Sequence, residues 1–255
     1  MRITTLAILF LISENSIGQD KQISFYEIIK GDSVVMSFNP RDGFIEKKCA
    51  DYFRYVRIDN NGNFNGKFVD VSYNGAIIGV GTYIHGKREG NFEVYYSNGK
   101  VQCQGIYENN KPTGVWNFFH QSGLPERSLR IDNGDTLLIR LIDSSGKILV
   151  NDGTGTFIGP VASNEVSITK GKVVNGKPDG WWNGFWASDR LSRVEKFAKG
   201  KLVKGSSTID RRDRNYKSHP KLNNFFYCDY FGLLEKFKVE KCTEMRKELR
   251  KRLGL

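Results

Sequence analysis

The side chains capable of chemistry are few, and they are scattered. Of three histidines, His85, His120 and His219, no two stand at metal-ligand spacing. His85 adjoins Gly86 and His120 nearly adjoins Ser122-Gly123, so both read as turn residues rather than general bases, which need a positioned partner and a pocket. Glu89, Glu93, Glu108 and Asp179 could form carboxylate pairs for glycoside hydrolysis, but such a pair has meaning only across a cleft; along a strand they read as solubilising charge. The run Gly153-Thr-Gly-Thr-Phe-Ile-Gly159 has neither dinucleotide-fingerprint spacing nor the Lys-Ser/Thr of a phosphate loop, and reads as a turn between strands. No Gly-x-Ser-x-Gly or Cys-x-x-Cys occurs. The expectation is a chain without catalytic residues, metal or cofactor. Its candidate contacts are aromatic rings on a wet face, Tyr95, Phe119 and Trp181, and a basic stripe near the C-terminus.

What must position those rings is a repeat. Shifted by 24 residues, Gly66 falls on Gly90 and Gly114, Phe68 on Phe92 and Trp116, Asn74-Gly75 on Asn98-Gly99 and Ser122-Gly123, and Gly86-Lys87 on Asn110-Lys111. A second block, out of phase, has Gly171, Gly176-Lys177, Gly180 and Trp182 where the first has Gly81, Gly86-Lys87, Gly90 and Phe92. Within a unit, the aromatic and β-branched runs Phe92 to Tyr96 and Val101 to Tyr107 flank Asn98-Gly99, a strong hairpin signal. A two-residue loop there would set Tyr96 across from Val101 and Phe92 across from Gly105, and would place Phe92, Val94, Tyr96, Val101, Cys103 and Tyr107 on one face. Gly81 would face Phe68 by the same count, each ring lying over bare backbone. Leu129 opposite Trp116 and Glu195 opposite Trp182 break that rule.

The pattern G-x-Φ-x-x-Y-x-x-N-G-x-x-x-x-x-G-x-Y-x-x-G-K-x-x-G resembles the MORN-repeat variant of the YwqK-type antitoxin family, which also occurs in many secreted bacterial proteins. The matches run from Gly66 to about Thr136 and from Gly171 to Gly205. The resemblance implies an antiparallel β-hairpin repeat fold used for binding and scaffolding. It also raises the reading of an antitoxin-like protein that neutralises a toxin by direct contact.

Taken in order, residues 1–18 have the shape of a secretory signal peptide: Arg2, an apolar run from Ile3 to Ile12, and Ser16-Ile17-Gly18 as the cleavage site. Residues 19–65 read as an N-terminal β cap, 66–136 as three hairpin repeats, 137–170 as an irregular hairpin with a Gly-rich loop, 171–205 as a fourth repeat, and 206–255 as a basic linker and helix. Export makes disulfides possible among Cys49, Cys103, Cys228 and Cys242; three pairings exist, and Cys228 with Cys242 would staple the tail, while the alternative is four separate, partly buried thiols. The net charge is +11, most of it beyond Lys199. There Leu234, Phe237, Cys242, Met245, Leu249 and Leu253 share one side of a predicted amphipathic helix, with Lys236, Lys238, Lys241, Arg246, Lys247 and Arg250 on the other. Such a helix could cap the sheet or lie on an anionic membrane surface.

The expected architecture is therefore mainly β, an extended single-layer meander of antiparallel hairpins ending in a helix. The expected function is non-enzymatic: presentation of a surface to a protein or an anionic envelope polymer, in the periplasm or outside the cell, with nucleic acid excluded by the compartment. A polysaccharide hydrolase working through turn carboxylates is the reading from another class.

Overall fold

The computed structural model describes residues 25–39, 43–159 and 168–207. The predicted signal peptide, Cys228, Cys242 and the basic helix from Lys236 to Arg250 lie outside the described residues. Eighteen strands form an open antiparallel sheet, with no α-helix among the described residues. The chain divides into two compact units, one ending at Phe92 and the other beginning at Glu93.

The first unit contains β1 (Tyr26–Lys30), β2 (Ser33–Asn39), β3 (Gly43–Phe44), β4 (Tyr52–Ile58), β5 (Phe64–Ser72), β6 (Ile77–Ile84) and β7 (Lys87–Arg88), and β8 (Gly90–Tyr95) crosses the boundary. β2 pairs with β1 and β4, and β5 pairs with β4 and β6. The second unit continues with β9 (Val101–Glu108), β10 (Lys111–Phe119), β11 (Pro125–Asp132), β12 (Asp135–Ile142), β13 (Ile148–Asn151), β14 (Thr154–Gly159), β15 (Ile168–Val174), β16 (Lys177–Phe185), β17 (Leu191–Ala198) and β18 (Lys201–Ser207). From β9 to β18 each strand pairs with the next, so this unit is a meander.

The period-2 alternation sorts its side chains. Cys103, Trp116, Leu129, Leu138, Val150, Val173 and Trp182 are buried on one face, and Trp116, Leu129 and Leu138 stand in one cross-strand row. The glycines explain how the rings pack. A methyl group on Gly105 would lie 2.2 Å from Trp116 Cδ2, and one on Gly171 would lie 2.1 Å from Trp182 Cδ2. Gly81 is caught between Phe68 at 2.7 Å and Phe92 at 2.9 Å. Trp116 and Trp182 each lean back onto the glycine of the strand before them (105 and 171), whereas Gly81 receives Phe68, directly opposite it as the register reading expected, together with Phe92. This corrects the register reading in which Leu129 and Glu195 broke the rule. They do face Trp116 and Trp182, but the bare backbone that receives each ring is on the opposite flank.

The turns require a second correction. Asn98-Gly99 is not a two-residue loop: Tyr96 N–H donates to Lys100 O at 2.8 Å, and Gly99 N–H to Tyr96 O at 2.9 Å. The loop is Ser97-Asn98-Gly99, and only Gly99 has positive φ (79°). Asn98 Oδ1 accepts from Lys100 N–H at 3.1 Å and its Nδ2 donates to Gln121 O at 2.9 Å, so the side chain makes its bonds with Asn98 outside the left-handed region. The same backbone pattern closes Ser72–Ala76 and His120–Leu124. The two-residue turns with both central φ positive lie at the other strand ends: Asn109-Asn110, Asn133-Gly134, Asp152-Gly153, Asn175-Gly176 and Lys199-Gly200 in the second unit, and His85-Gly86 in the first. The predicted repeat glycines thus do two jobs. Gly66, Gly75, Gly90, Gly99, Gly114, Gly176 and Gly180 hold positive φ, whereas Gly81, Gly105 and Gly171 clear space for a ring.

Candidate binding surface

On the outward face of the second unit, alternation leaves Trp181 beside buried Trp182, and Trp181 is 51% exposed. It lies directly across β17 from Lys196, and Lys196 lies directly across β18 from Lys204. Both ammonium groups approach the indole: Lys196 Nζ is 5.6 Å and Lys204 Nζ 5.1 Å from the ring. Among the described residues no ion pair joins either lysine to a carboxylate. Like charges placed directly opposite on neighbouring strands destabilise a sheet, and the indole only partly offsets that. Lys170 and Lys172 on β15 are exposed as well.

The row runs toward a concavity at the two-residue-turn margin. Trp181 is followed down β16 by Asp179 and Lys177, and Asp179 pairs with Lys172. The concavity has a volume of about 770 Å³ and is lined by Asp132, Asn133, Asp135 and Leu137 from the β11–β12 side, by Val174, Asn175, Lys177 and Asp179 from the β15–β16 side, and by Lys199. Backbone closure builds it. β13 and β14 are short, so their turn tucks under: Gly176 N–H donates to Gly153 O at 2.8 Å, Gly153 N–H to Ile139 O at 2.9 Å, and Leu138 N–H to Gly176 O at 2.9 Å. A methyl group on Gly176 would meet Leu137 Cβ at 2.8 Å, and one on Gly153 would meet Gly176 N at 2.7 Å. Across the concavity, Lys177 Nζ donates to Asp135 Oδ2 at 2.6 Å, while Lys199 N–H donates to Asp179 Oδ1 at 3.1 Å.

The other candidates stand elsewhere. Tyr95 is half-buried and donates its hydroxyl to Glu93; burial first, and that carboxylate second, push the phenol up to about 12. Phe119 is half-buried at the three-residue-turn margin, where its carbonyl accepts the Tyr96 hydroxyl at 2.7 Å. The structure thus does not gather Tyr95, Phe119 and Trp181 into one site. His85 lies in its turn with Nδ1 3.1 Å from Asp59 Oδ2, and His120 Nδ1 is 3.9 Å from Glu126. Sequence reading missed the concavity altogether, and no local signal announces it, because its lining comes from three turns brought together by one short hairpin.

The first unit carries a cation in a different setting. Arg54 donates Nε to Asp70 Oδ1 at 2.8 Å and Nη2 to Oδ2 at 2.7 Å, and Nη1 lies 3.2 Å from the Tyr83 hydroxyl. Its guanidinium is 4.7 Å from the Phe68 ring, with Phe38, Phe64 and Tyr83 around it. Burial pulls the guanidinium down, but the Asp70 hydrogen bonds and charge outweigh it and hold Arg54 well above its ordinary value. Cys49, in the cluster with Ile45 and Ala50, and Cys103 on β9 are both disulfide-bonded and fully buried.

No family model matches this chain, and no curated protein matches it. Among solved structures it is similar to one titled "Crystal structure of GtfA/B complex", at 19% identity and a TM-score of 0.20. That likeness covers 50% of this chain and 21% of that one, and at such a score it bears on neither fold nor function.

Proposed function

We propose that this is an exported, non-enzymatic β-repeat protein that binds an anionic macromolecule of the cell envelope or its surroundings through the outward face of the second unit. The observation that carries the reading is the Trp181–Lys196–Lys204 row. The two cations are set opposite each other with no carboxylate paired to either among the described residues, so they repel, and an anionic partner would relieve them. The disulfides at Cys49 and Cys103 support export, since such bonds persist in oxidising compartments. They resolve, for these two cysteines, the choice between bridges and free thiols. The seating of rings on Gly81, Gly105 and Gly171 fits a β-hairpin repeat, the fold that the resemblance to the MORN-variant repeat implies for a binding scaffold.

The test is titration calorimetry of the full chain against a polyuronate, polyphosphate and anionic phospholipid vesicles, in parallel with Lys196→Gln/Lys204→Gln. The variant keeps the basic C-terminal segment, so that background is common to both. At least one polyanion should bind, with affinity falling as salt rises and weakened in the variant. Binding to none, or binding that the variant leaves unchanged, would overturn the reading.

A further inference from the structure

We propose that the anionic partner is an acidic polysaccharide: a hydroxyl-rich chain with widely spaced carboxylates that spans the Trp181 row and enters the concavity at the β15–β16 turn. This rests on the proposed function and names the ligand class of the same face.

The first argument is continuity. Trp181, Asp179 and Lys177 follow one another along β16, and the cross-strand partners of Asp179 and Trp181 are the lysines Lys172 and Lys196. The row and the concavity are therefore two parts of one surface on one face of one unit.

The second argument is the sign of the charges. The row supplies only cations, whereas the concavity supplies Asp132, Asp135 and Asp179 with Lys177 and Lys199, plus the carboxamides of Asn133 and Asn175. A densely phosphorylated ligand, whether a lipid surface or a polyphosphate, would be drawn to the row but would gain nothing beyond it, because in the concavity Lys177 is already paired with Asp135 and the carboxylates of Asp132 and Asp179 remain. Carboxylate and carboxamide oxygens instead accept from hydroxyl groups, and carboxamide N–H and ammonium groups donate to them. A sugar unit in the concavity meets both kinds of partner without bringing charge. The next charged unit along the chain would then lie against the lysines.

The third argument is the ring. Trp181 presents an exposed indole on a rigid strand whose neighbour Trp182 is locked over Gly171 and donates Nε1–H to Lys172 O at 3.0 Å. An aromatic plane held by the sheet offers the apolar C–H face of a pyranose a stacking surface at little cost in conformational freedom. Phosphate headgroups have no such face.

The experiment compares hyaluronate, in which neutral and charged sugars alternate, with neutral dextran, polyphosphate and anionic vesicles on the full chain, using Trp181→Ala, Lys196→Gln/Lys204→Gln and Asp132→Asn, with a thermal melt on each variant to confirm folding. Hyaluronate should bind more tightly than polyphosphate. Trp181→Ala should weaken it about tenfold, as expected for a central aromatic anchor. The lysine variant should weaken it and flatten its salt dependence, whereas Asp132→Asn should weaken it with the salt dependence unchanged. Preferential binding of polyphosphate or vesicles, lost in the lysine variant but indifferent to Trp181→Ala, would overturn the glycan assignment and leave the anionic surface standing. Failure of every polyanion to bind would overturn both. Tight hyaluronate binding indifferent to Trp181→Ala and Asp132→Asn would remove this face as the glycan site.

Discussion

The two units use the same ingredients, cations beside aromatic rings, and reach opposite outcomes. In the first unit Arg54 is buried among Phe38, Phe64, Phe68 and Tyr83 and is neutralised by a two-pronged bond to Asp70. In the second, Lys196 and Lys204 stand in solvent beside Trp181, opposite each other. Burial and counter-charge make the difference. A desolvated cation must be paired, so Arg54 and Asp70 are part of the fold, whereas hydrated lysines can stay unpaired until a ligand arrives.

The strongest way to break that comparison is to remove one partner from the buried pair. Arg54→Met or Asp70→Asn should destabilise the protein by about 3–5 kcal/mol in urea unfolding, while replacing both with apolar residues should recover most of the loss. If either single variant melted like the parent, the first unit's cation would be no more structural than the second's. The next effect in size belongs to the glycine seats. Gly105→Ala and Gly171→Ala drive a methyl group into Trp116 and Trp182, and each should cost about 1–3 kcal/mol and shift the tryptophan fluorescence. Unchanged stability and emission would show that the rings do not depend on bare backbone.

A finer test is a double-mutant cycle on Lys196→Gln and Lys204→Gln. Its coupling should be repulsive, about 0.2–1 kcal/mol, and should shrink in high salt. Attractive coupling would mean that the row is a structural element like the Arg54 pair. The smallest expected effect is at Tyr95. Its phenol is raised in the folded protein, so its contribution to stability is complete below about 10 and is lost as pH rises toward about 12. Ultraviolet titration should show late ionisation both at Tyr52, which burial pushes up further, and at Tyr95, and only the Tyr95 midpoint should fall in Glu93→Gln; an unchanged titration would refute the assignment.

Much of the fold was legible because it is local. Alternation placed Trp116, Cys103 and Val94 inside and Trp181 outside, and Asn98-Gly99 marked a turn although not its type. The turn type was hidden because Asn98 bonds to the neighbouring hairpin at Gln121, a partner no propensity can anticipate. Glu195 looked anomalous opposite Trp182 only because a strand has two flanks and the pattern does not say which one receives the ring. Of the candidate site, Trp181 was foreseen as an exposed ring, but Lys196, Lys204 and the concavity were not.

The repeat spacing and the alternation of side chains by themselves determined that this chain forms hairpins, where those hairpins bend and which rings face inward. Those are short-range properties of the backbone and its pleat. Only the tertiary structure decided that three turns far apart in sequence line one open hollow and that two lysines meet beside a tryptophan. Both depend on which strands become neighbours and on how short the hairpin between them is, and neither quantity is written in any single repeat.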